Sequence, residues 1–208
     1  MTATLADSLA LVLPHAPGTL VPRVAHAHLG RLAEQLAPVH RAGFEVRLGA
    51  ASDVDFQQGI QARDDEAAVL RRHMRARGDT TLDAFLERWD DPGSPLYDGI
   101  DELWLEFDRP PSSALSVFVG FPRRTEGAPG RRLLAHDALD LLAGRAAWQP
   151  FAPALDACFE ALPDGAVVGH VGLMLGRPAP FLRVNVKRLG GERTEVIADR
   201  AAAPADSS

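Results

Sequence analysis

Charged and polar residues alternate with large apolar ones in Glu102–Leu103–Trp104–Leu105–Glu106–Phe107–Asp108, and again in Leu182–Arg183–Val184–Asn185–Val186–Lys187. Successive side chains on an extended chain point to opposite sides, so Glu102, Trp104, Glu106 and Asp108 share one face of their segment, as do Arg183, Asn185 and Lys187 of theirs. The runs Phe44–Leu48 and Val54–Gln58 divide in the same way, with Glu45 and Arg47 in the first and Asp55 and Gln57 in the second opposite the apolar side chains. On a single sheet face these groups make up an anion-handling site. Arg47, Arg183 and Lys187 hold the anion, Asn185 adds a polar contact, and Glu106 or Asp108 serves as a base or an orienting acceptor. Trp104, set within the row of carboxylates, fits an enclosed surface better than open water. The same pattern also suits a polar face turned to solvent, which is common on one side of an antiparallel sheet.

The elements that must position these residues come in a regular cadence. Three pairs of strand-like runs (Phe44–Leu48 with Val54–Gln58, Glu102–Asp108 with Leu115–Phe121, and Val167–Leu175 with Phe181–Leu189) are separated by pairs of helix-like runs. The order α, ββ, αα, ββ, αα, ββ predicts an α+β fold: an antiparallel sheet of six or seven strands built from repeated αββα-like units, with helices covering one face. Helical spacing of Leu5, Leu9, Val12 and Leu13 predicts a short first helix ended at Pro14, and Leu29, Leu32, Ala33 and Leu36 a second ended at Pro38. Asp64, Asp65 and Glu66 open a third helix whose end carries Arg71, Arg72, Arg75 and Arg77, an order that complements the helix dipole. A fourth helix carries Leu82, Phe85, Leu86 and Trp89 at i, i+3, i+4 and i+7 behind a capping-box-like Thr80 and Asp83, and Asp90–Pro95 reads as a loop. Two more helical runs cover Arg132–Ala143 and Ala154–Leu162. Residues 1–198 are expected to form one domain. Residues 199–208, without apolar periodicity, read as a disordered tail, although Thr194–Ile197 has the composition of an edge strand. Such a fold leaves an open sheet edge, to be covered by a helix, a second copy of the chain or a protein partner.

A chain of 208 residues with 46% hydrophobic and 24% charged residues has the composition of an ordinary globular domain. Its formal net charge of −6 argues against broad nucleic-acid binding, which needs a surplus of clustered cations. Cys158 is the only cysteine and sits at helical spacing among Leu155, Phe159 and Leu162, so it reads as a core residue and no intrachain disulfide can form. No apolar run reaches the length of a membrane span, and Leu5–Leu13 lacks the basic start and cleavage site of a signal peptide, which together point to a cytoplasmic, bacterial-type protein. His26 and His28 do not share a helical face and no second metal-ligand motif accompanies them, so no metal site is expected. No phosphate-cradling loop, dinucleotide fingerprint or nucleophile elbow occurs, and the cofactor, if one is used, is unknown at this stage. His170 reads as a core or edge histidine, Gly169, Gly172 and Gly176 as a bend in the fifth strand in preference to a close approach of a ligand, and Arg109 and Arg177 as turn residues on the rim.

Two resemblances extend this reading. The strands Phe44–Leu48, Val54–Phe56, Leu103–Asp108, Val171–Leu175 and Leu182–Val184 resemble those of an uncharacterised bacterial protein family best represented in cyanobacteria, with no known activity. The match spans roughly residues 40–189. The repeated α-β-β-α order is similar to that of the ABBA aromatic prenyltransferases, whose antiparallel barrel encloses basic, acidic and aromatic side chains. That similarity implies that Arg47, Arg183 and Lys187 grip a diphosphate, Trp104 shields an allyl cation and Glu106 assists the acceptor. Two functions are therefore expected. The first is an enzyme binding a small molecule or peptide, of transferase type and acting on an anionic, diphosphate-like substrate. The second is a non-catalytic accessory protein docking a partner, or a second copy of itself, through a sheet edge.

Overall fold

In the computed structural model the described residues are 4–37, 39, 41–46, 54–62, 65–76, 78, 80, 82–107, 115–122, 127–174 and 181–188. They form six strands, β1 (Arg41–Val46), β2 (Val54–Gln61), β3 (Glu102–Phe107), β4 (Ser116–Gly120), β5 (Val167–Met174) and β6 (Phe181–Lys187). The strands lie side by side in chain order, every neighbouring pair antiparallel. The helices are α1 (Leu5–Val12), α2 (Arg23–Gln35), α3 (Asp65–Ala76), α4 (Asp83–Trp89), α5 (Pro95–Gly99), α6 (Gly127–Ala143), α7 (Arg145–Trp148) and α8 (Ala152–Glu160). The α+β class and the hairpin-by-hairpin order are as the sequence predicts.

Local differences have simple causes. β1 begins at Arg41 rather than Phe44 because Arg41, Ala42 and Gly43 find ladder partners in Gly59, Gln58 and Gln57. The Asp90–Pro95 loop runs into a short helix, α5, where Ser94 caps the chain by accepting a hydrogen bond from the Leu96 amide and Pro95 takes the first helical turn. The capping box expected at Thr80 is absent. Leu82 is the N-cap of α4, and its buried side chain leads the apolar stripe of Phe85, Leu86 and Trp89 into the core. A true capping box opens α1, where Thr4 and Asp7 bond reciprocally.

One face of the sheet is largely apolar and is covered by helices along its middle strands. Ile60, Leu103, Leu105, Val117, Val119, Val171 and Leu173 pack against α3, α4, α6 and α8 through Leu70, Phe85, Leu139, Leu155 and their neighbours. At the β1 end, Phe56 and Val54 pack with Leu5, Leu9, Leu29 and Ala33 of α1 and α2, and the Phe44 and Phe56 rings meet at 5.8 Å. These residues take alternate positions along their strands, which leaves the other positions, with Trp104 and Phe118 among them, on the second face.

Strong curvature governs what that second face can do. A flat six-stranded sheet would hold its edge strands about 24 Å apart, at ~4.8 Å per strand. Yet Arg183 on β6 donates from Nη1 to Glu45 on β1, at 2.9 and 3.1 Å to the two carboxylate oxygens. Extended Arg and Glu side chains together reach only about 12 Å. The sheet therefore curls through its polar face until the two edges are bridged by side chains, while the helices stay on the convex side. Among the described residues β1 pairs only with β2 and β6 only with β5, so there the backbone ladder stays open at the seam.

Candidate functional site on the concave face

The strand register places one lateral row across the concave face: Arg41, Gly59, Trp104, Phe118, Gly172 and Arg183, one residue from each strand. Two aromatic rings occupy the middle, a glycine flanks each and an arginine stands at each edge. The glycines make room for the rings. A Cβ on Gly59 would lie 2.9 Å from the Trp104 ring, and one on Gly172 would overlap the Phe118 ring and the Val117 carbonyl. The arginines then reach inward over the rings, with Arg41 5.3 Å from the centroid of Trp104 and Arg183 5.5 Å from that of Phe118. Both distances fall within cation–π range. Sequence reasoning assigned Gly172 to a bend. The register shift on β5 falls between Val168 and His170, around Gly169, and Gly172 serves instead as the seat of Phe118.

The carboxylates flank this row in two clusters. In the first, Glu102 accepts from Arg41 Nη1 at 3.0 Å through Oε2 and lies 2.8 Å from His170 Nε2 through Oε1. Its pKa is held down at about 2, chiefly by the His170 hydrogen bond, with smaller help from Arg41 and Trp104 outweighing its partial burial. Among the described residues the Nε and Nη2 atoms of Arg41 are buried without a hydrogen-bond partner, and Glu102 is the anchor that this guanidinium uses.

In the second cluster, Glu106 is fully buried and shares the amide of Gln57 with Glu45: Gln57 Nε2 donates to Glu45 at 2.6 Å and to Glu106 at 2.9 Å. Arg183 lies 3.6 Å from Glu106 in addition to its bonds with Glu45. Burial, then the Glu45 charge, push the Glu106 pKa up to about 7, and Gln57 and Arg183 offset this only in part. Glu106 is thus the member of this carboxyl pair that holds its proton up towards neutral pH.

Between the clusters a cleft of about 170 Å³ opens on the concave face, lined by Glu45, Gln57, Trp104, Phe118, His170, Arg183 and Asn185. Of the residues expected from the sequence, Trp104, Arg183 and Asn185 line it. Glu106 stands behind Glu45 and Gln57, so it acts on the cleft through them. Lys187 is not part of the lining: its stem lies over Gly169 at the far end of β6. Arg47 and Asp108 lie outside the described residues, as do Arg109, Arg177 and the 199–208 tail. Sequence reasoning missed Glu45, Gln57, Phe118 and His170 as members. Alternation places the first two on the polar side of their strands, but only the curl of the sheet brings them to Arg183. Among the described residues no group of His, Cys, Asp and Glu side chains is arranged to hold a metal ion, and no helix is long and apolar enough to cross a membrane.

No protein-family model, curated protein or solved structure matches this chain. The site must therefore be read from its own chemistry.

Proposed function

We propose that the protein binds a small, uncharged polar molecule in the concave cleft and acts on it by proton transfer. The observation that carries this reading is the Glu45–Glu106 carboxyl pair, clamped by Arg183 from the opposite edge of the sheet, with the Glu106 pKa pushed up to about 7. A carboxyl group that keeps its proton near neutral pH suits general acid–base work, because it gives and regains that proton at little cost. The aromatic floor of Trp104 and Phe118 supplies apolar contact, and Asn185, Gln57 and His170 supply orienting hydrogen bonds.

Charge accounting favours an uncharged ligand over the diphosphate-like one expected from the sequence. Arg183 is engaged by Glu45 and Glu106, and Arg41 by Glu102, so each of these cations already has its carboxylate. An anion in the cleft would have to draw Arg183 away from both glutamates, and a cation would compete with it for them. A transferase acting on an anionic substrate, as the prenyltransferase similarity implies, would rely on Arg47 and Lys187 rather than on the groups that line the cleft. A second reading, an accessory protein that accepts a partner strand, draws support from the open backbone edges of β1 and β6. The Arg183–Glu45 bridge across the seam competes with such a strand.

Three probes of one shape and three charges test the proposal: benzamide, benzoate and benzamidinium, each titrated while the Trp104 indole N–H is followed by NMR. Saturable shifts with benzamide, and much weaker ones with the two ions, are expected. A response strongest for benzoate would restore the anionic-substrate reading, and no response to any of the three would remove the cleft as a ligand site.

A further inference from the structure

His170 belongs to the cleft lining but takes no part in the carboxyl pair, and its surroundings have the form of a built proton acceptor. Its side chain is 14% exposed, enough to touch a ligand and too little to move freely. Nε2 lies 2.8 Å from Glu102 Oε1. Glu102 is itself fixed by Arg41 through its other oxygen and held ionised far below neutral pH. A carboxylate only accepts, so this contact puts a proton on Nε2, and in the neutral ring Nδ1 is then the bare nitrogen. His170 makes this contact with its Nε2, and among the described residues no other protein group is bonded to its ring. The register sets His170 beside Gly120 and Asn185, and the lack of a side chain on Gly120 admits both Glu102 and the imidazole: a Cβ there would lie 2.9 Å from His170 Cδ2 and would overlap Glu102. A base, a carboxylate that orients it and a cleft in front of it make up the arrangement expected of an activated proton acceptor.

We propose that His170 is the proton acceptor of the cleft, that Glu102 is its positioning residue, and that the Glu45–Glu106 pair on the far side of the aromatic row is the proton donor. This deepens the proton-transfer reading and rests on it. It names the ligand class as a small neutral molecule with an acidic hydrogen and an acceptor atom at opposite ends. In the step, a C–H, N–H or O–H bond of the ligand breaks and its proton passes to His170 Nδ1. The electron pair left behind moves through the ligand to its acceptor atom, and that atom takes a proton from the carboxyl pair. The product is a tautomer or isomer of the ligand. The imidazolium and the carboxylate reset by exchange with solvent, so no oxidant, reductant or further reactant is consumed.

Two measurements test the assignment without a known substrate. Long-range ¹H–¹⁵N NMR of the wild type at neutral pH is expected to show His170 protonated at Nε2 and bare at Nδ1. Glu102→Ala should mix the two tautomers while leaving the backbone spectrum of the sheet otherwise intact, an outcome that a purely structural Glu102 would not give. Diethyl pyrocarbonate is expected to modify His170 at Nδ1 within about tenfold of the rate at exposed His15, as an accessible imidazole nitrogen should. Saturating benzamide should slow modification at His170 and not at His15. An Nδ1–H tautomer, or a His170 that stays unmodified while His15 reacts, would overturn the assignment whether or not any probe binds. Absence of benzamide binding with a reactive Nε2–H tautomer would instead overturn the ligand reading and leave His170 as an accessible base.

Discussion

Glu102 and Glu106 stand on the same strand and the same face, four residues apart, and the sheet pushes them in opposite directions. Glu102 meets His170 and Arg41 and is held ionised, its pKa near 2. Glu106 meets burial and a second carboxylate and keeps its proton up to about pH 7. The difference comes from neither the residue type nor the strand. It comes from what the curl delivers to each: a histidine from β5 and an arginine from β1 at one end, and a glutamate from β1 together with a single shared arginine from the far edge, β6, at the other. A pair of titratable groups pushed apart in this way is the usual basis for dividing acid from base in one cleft.

Glu102→Ala should break the contrast most severely. It leaves Arg41 without the acceptor that anchors it and His170 without its orienter, and a loss of about 3 kcal/mol is expected in urea unfolding at pH 7. The pH dependence has a definite sign. The folded pKa of Glu102 is depressed, so its stabilisation is present above the ordinary value of 4.5 and is lost as pH falls towards about 2. In the variant the acid-side fall should become shallower. A variant as stable as the wild type at pH 7 would show that the Glu102 cluster is decorative.

Glu106→Gln should act with the opposite sign. The folded pKa of Glu106 is raised, so the native state holds its proton more tightly than the unfolded chain, and wild-type stability falls as pH rises from 4.5 to about 7. The variant should match the wild type at pH 4 and exceed it by about 2 kcal/mol at pH 8, read by chemical denaturation at both pH values. Equal stability at both would mean that Glu106 titrates like an ordinary carboxylate.

The aromatic row gives a graded pair of substitutions. Gly172→Ala sets a methyl into the Phe118 ring and the Val117 carbonyl, neither of which can retreat, and should cost about 2 kcal/mol. Gly59→Ala meets only the edge of Trp104, at 2.9 Å, and should cost about 1 kcal/mol with a shifted Trp104 fluorescence maximum. The reverse order would show that Trp104, not Phe118, is the rigid half of the row.

Arg183→Gln sharpens the comparison with the smallest change in stability, since this ion pair is partly exposed. Removing the cation should raise the Glu106 midpoint further and leave Glu102 unmoved, as seen in side-chain carboxyl NMR. A matching shift at Glu102 would mean that the two clusters are not electrostatically separate.

Much of this arrangement was legible in the sequence. Period-two alternation in Glu102–Phe107 and Leu182–Lys187 identified the apolar and polar faces, and the paired strand-like runs gave the strand order. Trp104, Arg183 and Asn185 followed from the same alternation. Contacts created by curvature were not legible. Glu45 and Arg183 are 138 residues apart and on opposite edges, and nothing in either strand shows that the edges meet. For the same reason Arg183 looked like a free cation for an anionic substrate, and Glu106 like a base or orienting acceptor for it. His170 reads as core by its neighbours, because its partner Glu102 lies 68 residues away. The glycines opposite Trp104 and Phe118 were visible, but their purpose depends on a register that alternation alone does not set.

The central claim is that one strand holds two carboxyl groups in opposite protonation states across the cleft. Carboxyl ¹³C NMR of the glutamate side chains, titrated from pH 2 to pH 9 on the intact protein, tests it most directly. The account predicts a Glu106 midpoint near 7 and a Glu102 midpoint near 2. Two midpoints together near the ordinary value of 4.5 would contradict it.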